Sequence, residues 1–581
     1  MKWLWLVFSF CVLHVPAWSL DREAFTFTNY NLDVRIEPEQ QRIGVRGKIT
    51  LRNDSALPQK YICLQISSSL GWRSIQIGDK PVEFTSQNYT SDIDHTGALS
   101  EAILTLPQEI APHATIELNV GYEGTIVLDT TRLGRIGVQK EVARHSDWDE
   151  IGKSLTAVRG VGYVTWYPVA MESASLSDGN SVAEAIGRWK QRHADSEMIV
   201  VFESTSQDQI FFSGTPNLFS INTEKDIARV GDFIMVRFGI NVPTFVIANY
   251  QKLQATDFST VEYPPGHDDA AKAYAEMMAK LDPLIPVGGK PQLQVVELSD
   301  PNAASFVTEG MLLTPLRPTV TVDTELTLVY ALTRQLVRSP RAWIQEGLAH
   351  YAQLLHIEEQ QGKQSALDYL NMHRIALLDA EKSPTQNSPT GDNNWAVAHS
   401  LVNAPDDIYL QTKAMNVWSM LRDMLGGLND ALVAYGFSED KDPSYIQRLL
   451  EKQSHRDLEW FFDDWVYRDR GLPDFRVESA YPRKLAAGGY LVTVTIENLG
   501  NAGAEVPVIL KFEGGEIRKR LEVRAKSKAS IRIETAATPQ EVTVNDGSVP
   551  ESDMSNNNYK IAIADTGKAV GEFGKRAGEK Q

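Results

Sequence analysis

The chain has 581 residues, of which 43% are hydrophobic and 23% are charged, and its formal net charge is −18. A chain of this length is too long to fold around one hydrophobic core, so about three or four domains are expected. An acidic surface repels phosphate backbones, and nucleic acid is therefore excluded as a predicted partner.

The first residues, MKWLWLVFSFCVLHVPAWS, have the organisation of a signal peptide over residues 1–19. Lys2 provides a positive start, an apolar run extends from Trp3 to Leu13, and VPAWS offers small residues for cleavage. The apolar run is shorter than the roughly 20 residues that span a bilayer. We therefore predict an exported protein, periplasmic or secreted, with no transmembrane segment after signal cleavage. An uncleaved membrane anchor is the alternative.

Cysteine occurs at two positions, and Cys11 lies within the signal peptide. Cys63 is then alone, which excludes an intrachain disulfide and a CxxC zinc site. Because Cys63 lies in the alternating stretch KYICLQI, we expect it to pack in the core.

Residues 20–258 are predicted to form an antiparallel β domain. Apolar and polar residues alternate in YNLDVRIEP, RIGVRGKITLRN, KYICLQI, ATIELNVGYEG and FIMVRFGI. Gly, Asn, Asp and Pro residues separate these stretches, as expected for turns. The stretch SVAEAIGRWKQRHADS predicts a helix inserted in this domain.

Residues 259–479 are predicted to form a mainly helical domain with one small sheet. QLQVVELS is a predicted buried strand, and Pro340 separates the second and third helices. The predicted helices are HDDAAKAYAEMMAKLDPLI, VDTELTLVYALTRQLV, RAWIQEGLAHYAQLLHIEEQQG, LQTKAMNVWSMLRDMLGG, SYIQRLLEKQS and RDLEWFFDDWVYRD.

Residues 480–563 return to strands, namely YLVTVTIENLG, VPVILKFEGG, KRLEVRAKS and ASIRIETA, with the spacing of a C-terminal β-sandwich. VPESDMSNNNYKIAI resembles the closing strands of an adhesion-type sandwich repeat. The Gly-, Lys- and Glu-rich tail at 564–581 is predicted to be disordered. The predicted fold class is therefore α+β multidomain.

Three motifs of the helical region resemble the M1 family of aminopeptidases, which are gluzincin-type zinc peptidases. WIQEGLAHY, KAMNVWSMLRDMLGG and DLEWFFDDWVYRDRGLPDF follow the order and approximate spacing of that family. The first resembles its W-x-N-E-G-x-A segment. The resemblance covers roughly residues 21 to 475 in architecture and is sharp only in these motifs. It implies an N-terminal β domain of the M1 type that is followed in the chain by a thermolysin-like helical domain.

The metal-binding half of the family pattern is where the resemblance breaks. HExxH supplies two histidine ligands and a glutamate base, and a glutamate on the next helix is the third ligand. Glu346 matches that glutamate, but YALTR stands at the HExxH position, with Tyr330 and Arg334 at the ligand positions and Ala331 at the base position. Aligning DTELT, residues 323–327, instead restores no histidine. Arginine cannot ligate zinc, and alanine cannot move a proton.

Other parts of the family site are also changed. The position of the glutamate that captures the substrate amine falls near Val307, although Glu309 is close enough to replace it. The position of the oxyanion-stabilising tyrosine, two residues before Lys413, is Gln411, and Tyr409 lies nearby.

Two hypotheses concern Glu346 itself. Glu346 and His350 are four residues apart on one helix and form a weak metal-ligand pair, for which no third ligand is evident. Alternatively, Arg334 replaces zinc as the cation beside Glu346, which avoids an uncompensated buried charge. In the simplest alternative, both side chains point to water.

Three functions remain open from the sequence. The first is an exported, catalytically inactive pseudopeptidase that has a peptide- or partner-binding cleft and no cofactor. The second is an active zinc-dependent aminopeptidase with an unconventional metal site, and only this function requires zinc. The third is an interaction module in which the β domains bind and the helical domain is a spacer. We predict the first function because the ligands and the base that produce a zinc-bound hydroxide are missing.

Overall fold

The computed structural model describes residues 20–90, 98–135, 137–172, 182–216, 229–381, 400–404, 407–468 and 470–562. The predicted signal peptide and the predicted disordered tail lie outside the described residues. The chain forms two compact units: residues 1–249 with 302–304, and residues 250–301 with 305–581. Both units contain separate sheets and helices, so the protein has an α+β, multidomain architecture.

The first unit is built mainly from strands. Its helices are α1 (Thr131–Arg135), α2 (Lys140–Ser146) and α3 (Val182–Arg192), with single 3-10 turns at Pro38–Gln40 and Gly162–Val164. Its strands are β1 (Phe25–Glu37), β2 (Arg42–Asn53), β3 (Gln59–Ser67), β4 (Leu70–Ile77), β5 (Lys80–Pro81), β6 (Phe84–Thr90), β7 (Ala98–Ile110), β8 (Thr115–Thr125), β9 (Glu150–Ile151), β10 (Leu155–Val158), β11 (Glu197–Ser204), β12 (Gln209–Phe212), β13 (Thr215–Pro216), β14 (Arg229–Met235) and β15 (Phe245–Ala248).

The described strands of this unit form three sheets, in the orders β13-β14-β11-β1-β2-β8-β4-β5, β12-β15-β10-β9 and β3-β7-β6. Neighbours pair antiparallel, as predicted, except that β1 pairs parallel with β11 from Asn29 opposite Glu197 to Ile36 opposite Ser204. Cys63 is buried, as predicted, and its thiol donates to Glu101 Oε1 over 2.9 Å. Burial raises the pKa of this thiol.

The second unit begins with a five-stranded sheet and continues into helices and two further sheets. Its helices are α4 (Asp268–Lys280), α5 (Val322–Leu336), α6 (Ala342–Gln361), α7 (Lys363–Glu381), α8 (Asp407–Leu425), α9 (Asn429–Ala434), α10 (Tyr445–Ser454) and α11 (Glu459–Phe462), followed by a π turn at Asp463–Tyr467; a 3-10 turn lies at Phe437–Glu439. Its strands are β16 (Gln251–Thr256), β17 (Ser259–Tyr263), β18 (Leu293–Glu297), β19 (Phe306–Thr308), β20 (Met311–Thr314), β21 (Phe475–Lys484), β22 (Tyr490–Asn498), β23 (Ala504–Phe512), β24 (Gly515–Val523), β25 (Lys528–Thr535), β26 (Pro539–Val544) and β27 (Asn558–Lys560).

The five-stranded sheet has the order β16-β17-β18-β20-β19. Its three central strands run parallel, and β19 closes the edge antiparallel to β20. Helices α4 and α5 share an apolar core with this sheet, which includes Ala271, Val295, Leu312 and Ala331. The helix that carries the predicted HExxH position is thereby fixed on the sheet.

The last two sheets, β21-β22-β25 and β24-β23-β26-β27, share one apolar core and are together called the C-terminal sandwich below. Their apolar residues, such as Val494 and Val508, belong to one core with Leu348 of α6 and Trp418 of α8. The predicted domain limit at 258/259 falls in the hairpin between β16 and β17, and the limit at 479/480 falls within β21.

The ends of α5 and α6 follow from local sequence signals. Thr321 caps α5 by accepting a hydrogen bond from Thr324 N, and α6 begins just after Pro340. Gly362 ends α6 with a φ of 86°, a backbone conformation that glycine adopts without strain. Helix α7 restarts immediately and was not predicted. Among the described residues, no helix has both the length and the apolar character needed to cross a membrane.

Candidate functional site

The predicted site is formed by the facing sides of α5 and α6. Tyr330 and Arg334 are separated by four residues in α5 and therefore lie on one face of that helix. Glu346 lies in the first turns of α6 and faces them. These three residues, called the Glu346 cluster below, are thus brought together. The alternative DTELT stretch occupies the first turns of α5, where Asp323 is exposed.

The carboxylate of Glu346 is engaged through both oxygens. The Tyr330 hydroxyl donates to Oε2 over 2.5 Å, and Arg334 Nε lies 2.9 Å from Oε1. The Arg334 and Glu346 side chains are 6% and 10% exposed, so water screens this ion pair little. The hypothesis that Arg334 pairs with Glu346 is confirmed, and the alternative in which both point to water is wrong.

Arg334 also connects the cluster to the edge of the five-stranded sheet. Its Nη1 donates to the carbonyl of Val307 in β19 over 2.7 Å. The next residue, Gln335, donates to the carbonyl of Thr308 over 3.0 Å and accepts from the amide of Gly310 over 2.8 Å. Two consecutive side chains of α5 therefore hold the β19–β20 turn. Sequence reasoning assigned Arg334 to Glu346 but did not find these contacts.

The predicted amine-binding positions lie in this same turn. Val307 offers an apolar side chain, and its carbonyl is used by Arg334. The Glu309 carboxylate lies 3.9 Å from Arg338 Nη2. Burial raises the pKa of Glu309, and Arg338 and Arg334 oppose that shift. The Glu309 side chain is 28% exposed and so remains reachable from solvent.

The predicted base position holds a core residue. Ala331 is fully buried in the apolar cluster beneath the five-stranded sheet. Its methyl group can neither accept nor deliver a proton.

His350 lies one turn beyond Glu346 and packs on Tyr330, with 4.8 Å between ring centroids. Its Nδ1 shares a 2.8 Å hydrogen bond with Gln353 Oε1. Burial lowers the pKa of His350 and outweighs the opposing effect of Glu346, so the imidazole is neutral. A neutral imidazole with a proton on Nδ1 leaves Nε2 as an acceptor, and no donor among the described residues reaches it.

The predicted oxyanion positions lie at the start of α8. Gln411 is half-buried, whereas Tyr409 is buried in the helical core. The ammonium group of Lys413 is fully buried, 5.1 Å from the centre of the Tyr409 ring and 5.9 Å from that of Trp465. The ammonium group of Lys413 therefore packs over the faces of the Tyr409 and Trp465 rings.

Gly347 determines how closely α6 approaches α8, a feature that the sequence motif contains but sequence reasoning did not use. A Cβ atom at this position would lie 2.6 Å from Ala414 Cβ and 2.9 Å from the Trp418 ring. Gln345 is buried beside it and donates to the carbonyl of Arg334 over 3.2 Å. The glycine therefore allows close helix packing directly behind Glu346.

The residues at the Glu346 cluster do not fit the zinc ion that the M1 resemblance implies. Zinc requires three protein ligands with lone pairs, but Arg334 carries a permanent positive charge and its Nε lies 2.9 Å from Oε1 of the remaining ligand, Glu346. Nowhere in the described part of the chain do three or more His, Cys, Asp or Glu side chains assemble as a potential metal site. Glu346 and His350 therefore find no third ligand of these types among the described residues.

No protein-family model matches the chain. No curated protein matches it significantly either.

Proposed function

We propose that the protein is an exported, catalytically inactive relative of the M1 aminopeptidases that binds a peptide or a protein partner. In this proposal the helical region is thermolysin-like and the first unit corresponds to the M1 N-terminal β domain. One observation carries the proposal: the ion pair and hydrogen bond that Glu346 makes with Arg334 and Tyr330.

The chemistry of the cluster supports the loss of peptidase activity. Peptide hydrolysis at such a site requires a metal-bound hydroxide and a base that takes up its proton. The guanidinium of Arg334 provides a positive charge beside Glu346, but it cannot activate water as a Lewis acid. Ala331 supplies no base, and the Tyr330 hydroxyl donates to Glu346. What the cluster retains is a cross-link between α5, α6 and β19.

Metal content and hydrolysis test this proposal directly. The purified, signal-free protein is equilibrated with zinc, desalted and analysed for bound metal, and it is assayed with a broad panel of aminoacyl fluorophores. We expect substoichiometric zinc and no turnover above buffer. Stoichiometric zinc with chelator-sensitive turnover would overturn the proposal, and loss of that zinc in Glu346→Gln or His350→Ala would identify the unconventional site.

A gain-of-binding variant tests the alignment independently. Tyr330→His with Arg334→His provides two imidazoles on one face of α5, opposite Glu346, and so restores three ligands. We expect this double variant to bind close to one zinc ion per chain. The matched control, Asp323→His with Thr327→His, places the same pair two turns earlier and should bind none at that level. A folded Tyr330→His/Arg334→His protein without zinc would show that α5 is not the HExxH helix.

A further inference from the structure

The three-stranded sheet β21-β22-β25 has one face in the apolar core and one face toward solvent. Along its central strand, Val492, Val494 and Ile496 are buried in the core. The residues between them point to the opposite face, because side chains alternate along a strand. On that outer face Tyr481 is 69% exposed, the largest exposed fraction of any large hydrophobic residue that the structure describes. A single exposed ring is common on protein surfaces, so its neighbours decide whether it belongs to a site.

The strand register places two arginines beside Tyr481. Tyr481 pairs with Thr493 of β22, and Thr493 pairs with Arg532 of β25, so these residues form one row across the sheet. Arg483 lies two residues further along β21, on the same face. Given the spacing of strands and residues in a sheet, the Cα atoms of Arg532 and Arg483 lie about 10 Å and about 7 Å from that of Tyr481. Tyr481, Arg483, Thr493 and Arg532 are called the Tyr481 face below.

The two arginines of the Tyr481 face differ from other basic residues of the same sheet. Arg476 and Lys528 both pair with Glu497. Arg483 and Arg532 are exposed, and no carboxylate of the described residues lies within ion-pair distance of either. Their guanidinium groups, each a planar array of hydrogen-bond donors, are therefore open to an anion from solution.

Hydroxyl groups, rather than apolar side chains, surround the exposed ring. Thr493 separates Tyr481 from Arg532. In the adjacent row, the hydroxyls of Thr495 and Ser530 share a 2.9 Å hydrogen bond. The centre of a protein interface is apolar and depleted of charge, which does not describe this face. A pyranose ring fits it better, because its C–H face packs on an aromatic ring while its hydroxyls exchange hydrogen bonds with the polar border.

We propose that the Tyr481 face binds a uronic-acid polysaccharide, with one sugar ring stacked on Tyr481 and carboxylates of the same chain paired with Arg483 and Arg532. Carboxylate and guanidinium groups are both planar and form two parallel hydrogen bonds, which favours a uronate as the anion. The net charge of −18 on the whole chain repels a polyanion, so the attraction is confined to this locally basic face and to a few sugars. Glu534, in the row of Arg483, opposes that attraction. This inference goes beyond the proposed function and does not depend on it.

Calorimetric titration of the purified, signal-free protein with hexagalacturonate tests the proposal. We expect saturable binding that weakens as salt is added, since the charged groups are exposed. Methyl-esterified hexagalacturonate keeps the sugar rings without the charges, and polyaspartate keeps the charges without the rings. Each should bind at least about tenfold more weakly, because each lacks one of the two kinds of contact. Equal binding of either probe would overturn the proposal.

Substitutions on the sheet locate the binding site. Tyr481→Ala, Arg483→Ala and Arg532→Ala should each weaken hexagalacturonate binding by about five- to tenfold. Glu534→Gln should strengthen it, since a repelling charge is removed. Arg476→Ala is the matched control: it removes a positive charge from β21, but one already paired, and should change binding by less than about twofold. All five residues are exposed, so each variant should fold, which urea unfolding verifies.

Two further results would overturn the proposal. The first is the absence of hexagalacturonate binding, or binding that is unchanged in both Tyr481→Ala and Arg532→Ala. The second is a wild-type dimer in analytical ultracentrifugation that Tyr481→Ala dissociates and that hexagalacturonate does not. The Tyr481 face would then be an interface between two copies of the chain.

Discussion

Replacing Arg334 by methionine removes the cation from the Glu346 cluster while keeping a side chain of comparable length. Glu346 would then remain nearly buried, with only the Tyr330 hydroxyl as a donor from within the cluster. The carbonyl of Val307 would also lose the hydrogen bond from Arg334 Nη1. Arg334→Met therefore tests whether the arginine stabilises the contact between α5 and α6.

The expected magnitude follows from the distance and the burial. Two unit charges about 4 Å apart interact by about 4 kcal/mol at an effective dielectric constant of about 20. Removing one partner of a buried ion pair typically destabilises by about 3–5 kcal/mol because the other charge is left uncompensated. With side chains only 6% and 10% exposed, we expect Arg334→Met to lower the free energy of unfolding by that amount.

A double-mutant cycle in urea at neutral pH measures this effect. Arg334→Met is compared in the wild-type and Glu346→Gln backgrounds, and the coupling energy between the two residues should be about 2–3 kcal/mol. Arg338→Met is the matched control, since Arg338 is 66% exposed and lies 3.9 Å from its partner Glu309. A surface pair of this kind is worth no more than about 1 kcal/mol.

Two results would refute the reasoning. If Arg334→Met destabilises no more than Arg338→Met, the ion pair between Arg334 and Glu346 does not stabilise the packing of α5 against α6. If the effect of Arg334→Met is the same in the Glu346→Gln background, Arg334 acts through Val307 or through packing and not through Glu346.

Two further predictions concern packing and acid stability. Gly347→Ala should destabilise by about 1–3 kcal/mol in urea unfolding, because its Cβ would overlap Ala414, whereas Gly44→Ala, with no atom within 4 Å of the new Cβ, should be near neutral. At Glu101, burial raises the pKa, but hydrogen bonds, first from Arg22, outweigh it and hold the pKa at about 2. This lowered pKa gives stability that is present above pH 4.5 and lost as pH falls toward 2, so Glu101→Gln should flatten the acid limb of stability against pH; an unchanged limb would contradict it.

The helices around the cluster could be predicted closely, and for identifiable reasons. The predicted spans 322–337 and 341–362 compare with α5 at 322–336 and α6 at 342–361. Helical periodicity, Pro340 and Gly362 determine these limits locally. Helix α7 was not predicted, for two reasons. Gly362 indicates the end of α6 but gives no sign that a new helix begins at once. In addition, Met372 and Ile375 are exposed apolar residues, which weaken the amphipathic pattern of α7.

Some contacts of the Glu346 cluster could be predicted from the sequence, and others could not. The pairing of Arg334 with Glu346 could be predicted, since i, i+4 spacing on one helix and a motif glutamate on the next determine it. The hydrogen bond from Arg334 to Val307 depends on where β19 joins the sheet edge, which no local pattern reveals. The parallel pairing of β1 with β11 is hidden for the same reason, because partners such as Tyr30 and Met198 are distant in sequence.

The join between the helices and the C-terminal sandwich bears on which function the second unit performs. Trp465 Nε1 donates to the carbonyl of Gly503 over 2.7 Å, and the amide of Gly503 donates to Asp464 over 2.9 Å. Arg520 of β24 bridges Asp423 of α8 and Glu505 of β23, each over 3.1 Å. With one apolar core running through α6, α8 and both sheets, removal of the sandwich would expose the interior of the helical part. A spacer that only separates two binding modules needs no such shared interior, so this continuity favours a function in which the helices and the sandwich act as one body.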